Sequence, residues 1–220
     1  MHRRVKAAIL ATSLLAATLV ATPALAAGGP SAGQLLAKVS GCNVVSHGKY
    51  ATDDGASSTV NICKSGSAFF WKADMDIDCD GVRTSHCNED ADPWYQDQTS
   101  FQTSKGRPFQ ADSTHYFVIP LPSSRFSYSG NGIKPGSVAA VIYNNKVVYA
   151  VFADEGPSNI IGEASYATAR ALGINPDPEN GGVDSGVTYI VFPGKVPSPI
   201  ESNGAIDSKG IAAANAFVNG

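Results

Sequence analysis

The segment VAAVIYNNKVVYAVFAD, which begins at Val138, constrains the fold most because it has the pattern of two β-strands joined by a tight turn. Val138–Tyr143 is rich in β-branched residues, which suit a pleated sheet. The pair Asn144–Asn145 can adopt the positive-φ conformations of a two-residue hairpin turn. In the return strand, Lys146–Asp154, the alternation predicts that the even-numbered residues share one face and the odd-numbered residues the other.

The segment after Asp154 predicts a second carboxylate close to the first. A Gly-Pro pair ends the strand, and an Ala-rich stretch up to Gly173 predicts a helix with Ser158 or Asn159 as its N-cap. Glu163 is then expected in the first turn of that helix. A strand-end carboxylate and a helix-start carboxylate joined by a short loop can face one cleft, which is the arrangement that a two-carboxylate hydrolase requires.

The N-terminus predicts export. A basic start, the apolar residues 7–21 and an A-x-A site at 24–26 are typical of a signal peptide. The twin Arg3–Arg4 also permits the Tat route, although ordinary Sec export is favoured. We expect a signal peptide at 1–26, a linker at 27–41 and a single catalytic domain at 42–220. The protein is therefore predicted to be secreted.

The charge of the chain limits its partners. The formal net charge is −3, and removal of the signal peptide would take away basic residues and no acidic ones. Nothing in this composition favours nucleic acid or an anionic membrane, whereas a cationic substrate fits. We expect no nucleic-acid partner, no membrane partner, no cofactor and no bound metal, and a monomer.

Four cysteines lie in the first third of the predicted mature chain: Cys42, Cys63, Cys79 and Cys87. An even number in an exported protein predicts two disulfides, and three connectivities are possible. Cys42–Cys63 with Cys79–Cys87 is favoured because both loops are short. A zinc site at Cys79, His86 and Cys87 is the alternative, disfavoured because the His-Cys pair lacks a CxxC partner.

The segment ADMDIDCDG at 73–81 is an alternating acidic run. As a strand it places Asp74, Asp76, Asp78 and Asp80 on one face, where four like charges are costly unless something neutralises them. One interpretation is a row of subsites for protonated amino sugars, and this is favoured. The second is a solvated acidic turn.

A calcium loop is the third interpretation of this run. Asp76-x-Asp78-x-Asp80 followed by glycine matches the start of an EF-hand loop, but Cys87 stands where the bidentate Glu belongs, and no helix precedes the loop. Downstream, Trp94 and Tyr95 offer aromatic faces that either stack on sugar rings or pack in the core.

The remaining pattern predicts the fold class. Tyr116–Leu121 and Val187–Phe192 are further strands, and Lys209–Val218 is a short Ala-rich helix. Many short strands with one or two short helices indicate a β-rich α+β domain whose sheet is barrel-like or twisted and mainly antiparallel.

The usual nucleophile and cofactor motifs are missing from the sequence. It contains no nucleophile elbow, P-loop, HExxH or dinucleotide fingerprint. His47, His86 and His115 have no triad context nearby and are interpreted as surface or structural residues. Carboxylates are therefore the candidate catalytic groups.

Three segments together resemble glycoside hydrolase family 75, the secreted endo-chitosanases. They are AxMDIDCDG at 73–81, YAVFADEGPSNIIGEAS at 149–165 and VTYIVFPG at 187–194. The resemblance implies cleavage of the β-1,4 bonds of chitosan, by inversion, with an essential Asp and Glu that fall on Asp154 and Glu163. The HCNEDAD run at 86–92 has no place in the family pattern.

The roles within this pair stay open at the level of sequence. We hypothesise that Glu163 is the general acid and Asp154 the general base. Apolar neighbours would favour protonated Glu163, whereas a helix N-terminus would favour its carboxylate. Glu155 is a rival to Asp154, although its side chain should leave the strand on the opposite side.

Substrate binding is assigned to five residues, Asp76, Asp78, Asp80, Trp94 and Tyr95. Two other function classes stay open. A non-catalytic chitosan- or chitin-binding module would use the same surface without needing Glu163. A calcium-stabilised extracellular protein would need the acidic loop and would lose stability in chelator.

Overall fold

The computed structural model describes residues 28–220, and the predicted signal peptide at 1–26 lies outside them. This part of the chain forms eight strands, three α-helices and a 3₁₀ turn at Ser129–Asn131. The strands are β1 (Asn43–Val44), β2 (Cys63–Ser65), β3 (Ala68–Asp78), β4 (Tyr116–Pro120), β5 (Val138–Tyr143), β6 (Lys146–Gly156), β7 (Glu163–Ser165) and β8 (Val183–Val191). The helices are α1 (Ala32–Lys38), α2 (Tyr166–Leu172) and α3 (Asn203–Asn219).

Six of these strands close into a barrel. The order β3-β7-β4-β6-β5-β8 is completed by pairing of β8 with β3. The short strands β2 and β1 extend the sheet from β3 on one side. The pairs β3–β7 and β4–β6 are parallel, and the other four pairs of the barrel are antiparallel. The predicted fold class, a single β-rich α+β domain with a barrel-like sheet, is confirmed, although the sheet is mixed.

Large apolar side chains fill the inside of the barrel. Trp71 and Met75 of β3 pack with Phe117 of β4, Phe152 of β6 and Tyr189 of β8. The Trp71 and Tyr189 rings stack with their centroids 5.4 Å apart. A second cluster covers the outside, where α3 packs against β5 and β6. Because apolar side chains fill the interior, we expect a substrate-binding site at an end or at the rim of the barrel.

The central hairpin follows its sequence closely. Asn144 and Asn145 adopt φ values of 44° and 64°, as the predicted two-residue turn requires, and Val138 pairs with Val151. The helix that follows is shorter than predicted. It begins at Tyr166, its N-cap is Ser165 rather than Ser158 or Asn159, and it ends as expected at Gly173 in the left-handed conformation.

The N-terminal segment and the disulfides tie the chain to the barrel. Helix α1 lies within the predicted linker at 27–41, and its Leu35 is fully buried against the outer cluster. Cys42–Cys63 and Cys79–Cys87 are bonded, the pairing that short loops favoured, with Cα atoms 5.2 and 4.9 Å apart. Helix α3 is longer than the predicted Lys209–Val218 segment. None of the helices between residues 28 and 220 has the length and apolarity to cross a membrane.

Candidate active site

A cleft of ≈ 540 Å³ opens where β3 and β6 end and β7 begins. Most of the predicted site residues lie on its wall. The lining residues used below are Asp76, Asp78, Asp80, Asp92, Trp94, Asp154, Glu155, Gly156 and Glu163. The two carboxylates of the predicted pair, Asp154 and Glu163, therefore face the same space.

A β-bulge sets the direction of Asp154. Phe117 of β4 pairs with Phe152 of β6, but Val118 pairs with Asp154, so that Ala153 is the extra residue. A bulge of this kind redirects the side chains that follow it. Asp154 consequently lies on the side of Val118, outside the barrel, and the predicted sharing of a face with Phe152 is wrong.

Asp154 is held at one oxygen and free at the other. Its Oδ1 accepts hydrogen bonds from the Ser100 amide (2.9 Å), the Ser100 hydroxyl (2.6 Å) and the Glu155 amide (2.7 Å). Its Oδ2 is buried and has no hydrogen-bond partner among residues 28–220. Burial raises the pKa of Asp154, and the two hydrogen bonds from Ser100 oppose that rise by stabilising the carboxylate.

Asp78, Asp80 and Asp154 form a compact group, here called the Asp154 cluster, in which one carboxylate oxygen of each lies within 4.8 Å of the others. Asp78 Oδ1 accepts from the Tyr116 hydroxyl (2.9 Å) and the Asp80 amide (2.7 Å), and Asp80 Oδ1 accepts from the Gln96 amide (2.7 Å). Burial raises the pKa of Asp80 to about 7 and that of Asp78 well above its usual range.

Glu163 reaches the cleft from strand β7. It pairs with Asp76 of β3, and a Cβ placed on Gly156 would lie 3.3 Å from Glu163 Oε2, so the glycine leaves room for the carboxylate. Burial raises the pKa of Glu163 to about 8, and the charges of Asp76 and Asp154 add to that rise. The predicted position in a first helical turn is wrong. Residues 163–165 pair with β3 and β4 as strand β7, and α2 begins only at Tyr166.

The acidic run keeps the predicted face along β3 but divides into two clusters. Trp71, Ala73, Met75 and Ile77 pack inside the barrel, so Asp74, Asp76 and Asp78 lie on the opposite face, and Asp80 follows the strand end. A register shift between Ala73 and Met75 separates Asp74 from the ladder with β8. Asp74 is buried, Asp76 is exposed, and each has a carboxylate oxygen within 4.8 Å of the other and of Asp53. We call Asp53, Asp74 and Asp76 the Asp74 cluster. Because Asp76 and Asp78 belong to different clusters, the run does not surround one ion in the EF-hand manner.

The two predicted aromatic residues have different positions. Trp94 is 86% exposed and lines the cleft, and its amide donates to Asp92 Oδ1 (2.8 Å). Tyr95 is not among the lining residues, and its hydroxyl donates to the Gly81 carbonyl (2.8 Å), which fixes the loop after β3. Tyr95 therefore supports the wall that Trp94 forms.

Glu155 is at the rim and on the other side of the strand from Asp154. It pairs with Ile119, whose side chain belongs to the barrel interior, and its Oε1 accepts from the Tyr128 hydroxyl (2.6 Å). This is the direction that strand alternation predicted for the rival carboxylate.

Sequence reasoning missed Ser100 and Tyr116 as site residues. Ser100 lies in a polar segment that was predicted only as loop, and it is 54 residues from Asp154 along the chain. Tyr116 was predicted only as part of a strand. The alternation of that strand offers a signal, since Tyr116 and Val118 share the face that carries Asp154.

Comparison with known proteins decides the family. Residues 75–218, about two thirds of the chain, match the model described as fungal chitosanase of glycosyl hydrolase group 75. The chain belongs to glycoside hydrolase family 75. The matched range contains Asp76, the whole Asp154 cluster and Glu163, so the resemblance carried by the three sequence motifs is confirmed.

Three curated relatives illustrate the similarity within family 75. Endo-chitosanase C of Aspergillus oryzae is 31% identical over 160 residues, which cover 69% of this chain and 40% of that protein. Endo-chitosanase B of the same species is 32% identical over 136 residues, 58% of this chain and 56% of the relative. An endo-chitosanase of Aspergillus fumigatus is 30% identical over 133 residues, 57% and 56% of the two chains. The chain spans about half the length of these relatives.

Proposed function

We propose that this protein is an endo-acting glycoside hydrolase that cleaves the β-1,4 bonds of chitosan, with Glu163 as general acid and Asp154 as general base. One observation carries the proposal: two carboxylates line the same cleft in opposite hydrogen-bonding environments. Two groups whose surroundings favour different protonation states are what acid–base cleavage of a glycosidic bond requires.

Asp154 has the features of a base. Three donors on Oδ1 stabilise its ionised form, and Oδ2 has no donor from the part of the chain that the structure describes. An ionised carboxylate with one oxygen fixed and the other free can accept a proton from a water molecule placed beside it. The fixed oxygen also holds the free one in a constant direction.

Glu163 has the features of an acid. No hydrogen-bond donor to its carboxylate is found in residues 28–220, and burial raises its pKa to about 8, so that it holds a proton near neutral pH. The protonated group can donate to the leaving glycosidic oxygen. If cleavage proceeds by inversion, the two carboxyl groups should act across roughly 6.5–9.5 Å, against about 5–5.5 Å in a retaining pair.

The wall of the cleft fits a cationic sugar polymer. Asp76 and Asp80 line it at positions that are exposed or half-buried, and the exposed face of Trp94 offers a stacking surface for a pyranose ring. Asp78 also lines the cleft, although it is buried, and we assign it to the same subsites because its carboxylate belongs to the Asp154 cluster. We infer that the enzyme acts as a secreted monomer on chitosan or partially acetylated chitosan oligosaccharides.

The test is mass spectrometry of the products that the mature protein forms from highly deacetylated chitosan, alongside Asp154→Asn and Glu163→Gln. We expect glucosamine oligomers from the wild type and none from either variant within the time that the wild type needs to consume its substrate, while both variants keep the wild-type melting temperature to within a few degrees. No products from the wild type, with chitosan still retained in a pull-down, would indicate a binding module. Products from all three proteins would show that the pair is misassigned.

A further inference from the structure

The Asp74 cluster has the dimensions of a site for one small cation. Asp53 comes from the loop that follows Ala51, and Asp74 and Asp76 come from β3. One carboxylate oxygen of each lies within 4.8 Å of the other two. Calcium binds oxygen at about 2.3–2.6 Å, so oxygens that share one calcium ion are at most roughly 5 Å apart.

Asp74 gives a second, independent indication of a ligand. Its side chain is only 3% exposed, and its Oδ1 is buried without a hydrogen-bond partner in the described range 28–220. Gly162, at φ +126°, packs directly over this oxygen, and a Cβ there would overlap it. A buried carboxylate oxygen that receives no donor is costly unless a proton or a cation from solution compensates it.

No basic side chain of the described chain compensates the cluster. The salt bridges found within residues 28–220 all involve Arg83, which pairs with Glu89 and Asp90 and with no member of the Asp74 cluster. Three ionised carboxylates with oxygens within 4.8 Å of one another, and without a cation of the protein, repel one another.

The local structure holds Asp53 in place. Ala51 pairs with Ile160 as a parallel bridge, and the Thr52 hydroxyl donates to Asp53 Oδ2 (2.9 Å). The Ala56 amide donates to the Asp53 carbonyl (3.2 Å), which closes a turn around the residue. The loop therefore presents the Asp53 carboxylate to β3, although like charges alone would drive the two apart.

The donor set and the surroundings favour a divalent cation over the amine of a bound sugar. Of the three residues, only Asp76 lines the cleft, so a glucosamine ring lying there cannot place its ammonium group between all three carboxylates. All three ligands are carboxylate oxygens, which suit hard cations; zinc prefers nitrogen and sulfur, and magnesium demands strict octahedral geometry. We propose that Asp53, Asp74 and Asp76 bind one divalent cation of the calcium type, which links the loop after Ala51 to β3 at the edge of the cleft.

The proposal does not depend on the proposed reaction, because Asp53 and Asp74 lie outside the cleft wall. Its consequence is structural. Asp76 of β3 pairs with Glu163 of β7. An ion bound to Asp76 would therefore hold the end of β3 in place beside Glu163. Calcium should then raise the melting temperature of the protein whether or not chitosan is present.

The test is thermal melting of the full mature chain, first stripped with EGTA and then titrated with calcium chloride, with terbium luminescence as a direct probe of binding. We expect calcium at about a hundredfold excess over Kd to raise the melting temperature by roughly 5 °C or more. Asp53→Asn, an exposed loop substitution, should abolish both the rise and the terbium signal. The matched control Asp54→Asn changes the adjacent exposed carboxylate outside the cluster and should keep both.

Two further samples locate the site. Asp80→Asn alters the Asp154 cluster and should keep the calcium response. When glucosamine replaces calcium, any change in melting temperature should be the same in the wild type and in Asp53→Asn. Absence of any shift in the wild type at about 10 mM calcium would overturn the proposal. So would a shift that survives Asp53→Asn, a shift lost in Asp80→Asn, or an Asp53-dependent response to glucosamine alone.

Discussion

The two carboxylate clusters both contain aspartates of β3 but differ in what surrounds them. In the Asp154 cluster, Ser100, Tyr116 and Gln96 donate hydrogen bonds to the carboxylate oxygens. In the Asp74 cluster the side-chain donor found among residues 28–220 is the hydroxyl of Thr52. Each cluster has one buried oxygen without a donor from these residues, Asp154 Oδ2 in the first and Asp74 Oδ1 in the second.

This difference separates two ways of keeping negative charges together. Hydrogen-bond donors of the protein lower the cost of an ionised carboxylate while they leave one oxygen free for chemistry. Where such donors are lacking, a buried carboxylate needs a proton or a cation from solution. The first arrangement suits a catalytic base, and the second suits an ion site.

Removing a donor from the Asp154 cluster should shift the pH dependence of catalysis. Ser100→Ala deletes the hydroxyl that lies 2.6 Å from Asp154 Oδ1 but keeps the backbone donor. The pKa of Asp154 then rises, the base becomes protonated at a higher pH, and the acidic limb of the pH–rate profile should move up by about one unit. At a pH on that limb, the rate should fall about tenfold.

Ser104→Ala is the matched control for this change. Ser104 donates its amide (3.1 Å) and its hydroxyl (2.7 Å) to Glu201, the same two-donor pattern at an exposed site outside the cleft lining. Its pH profile should match that of the wild type. An unchanged pH–rate profile in Ser100→Ala would show that the Ser100 hydroxyl does not stabilise ionised Asp154. It would contradict the distinction between the two clusters by their hydrogen-bond donors.

A smaller effect is expected at the aromatic wall beside the Asp154 cluster. Trp94→Ala removes an exposed ring from the cleft and should raise KM for chitosan oligomers about threefold to tenfold with little change in kcat, since stacking contributes roughly 1 kcal/mol. Tyr95→Phe deletes the hydrogen bond to Gly81, so it should lower stability and leave KM unchanged. Steady-state kinetics separate the two, and equal KM values for all three proteins would place the sugar elsewhere.

The parts of the fold that the sequence predicted are those with local causes. The Asn144–Asn145 turn, the strands on either side and the glycine that ends α2 each depend on a few neighbouring residues. The position of Glu163 could not be predicted in this way. Its Ala-rich surroundings favour a helix, but pairing with Asp76, far away in sequence, makes it part of a strand.

The sequence was sufficient to predict which two residues form the candidate pair. It was not sufficient to predict how the fold orients their side chains. Asp154 turns to the cleft because of a bulge opposite Val118, and no property of β6 alone indicates that bulge. Likewise, the polar sequence around Asp53 predicts only a surface loop, although the fold brings the Asp53 carboxylate to within 4.8 Å of that of Asp74. Residues that meet only through tertiary pairing give no local signal in the sequence.

The most direct test of the account is the pH–rate profile of Glu163→Gln against the wild type on one soluble glucosamine oligomer. In the wild type, loss of the Glu163 proton should produce an alkaline limb with a midpoint near its pKa of about 8. We predict that the variant loses about 10²–10⁴-fold in rate and also loses that limb. Any limb due to the amines of the substrate is common to both enzymes. A variant that keeps the alkaline limb of the wild type would contradict the assignment of Glu163 as the acid.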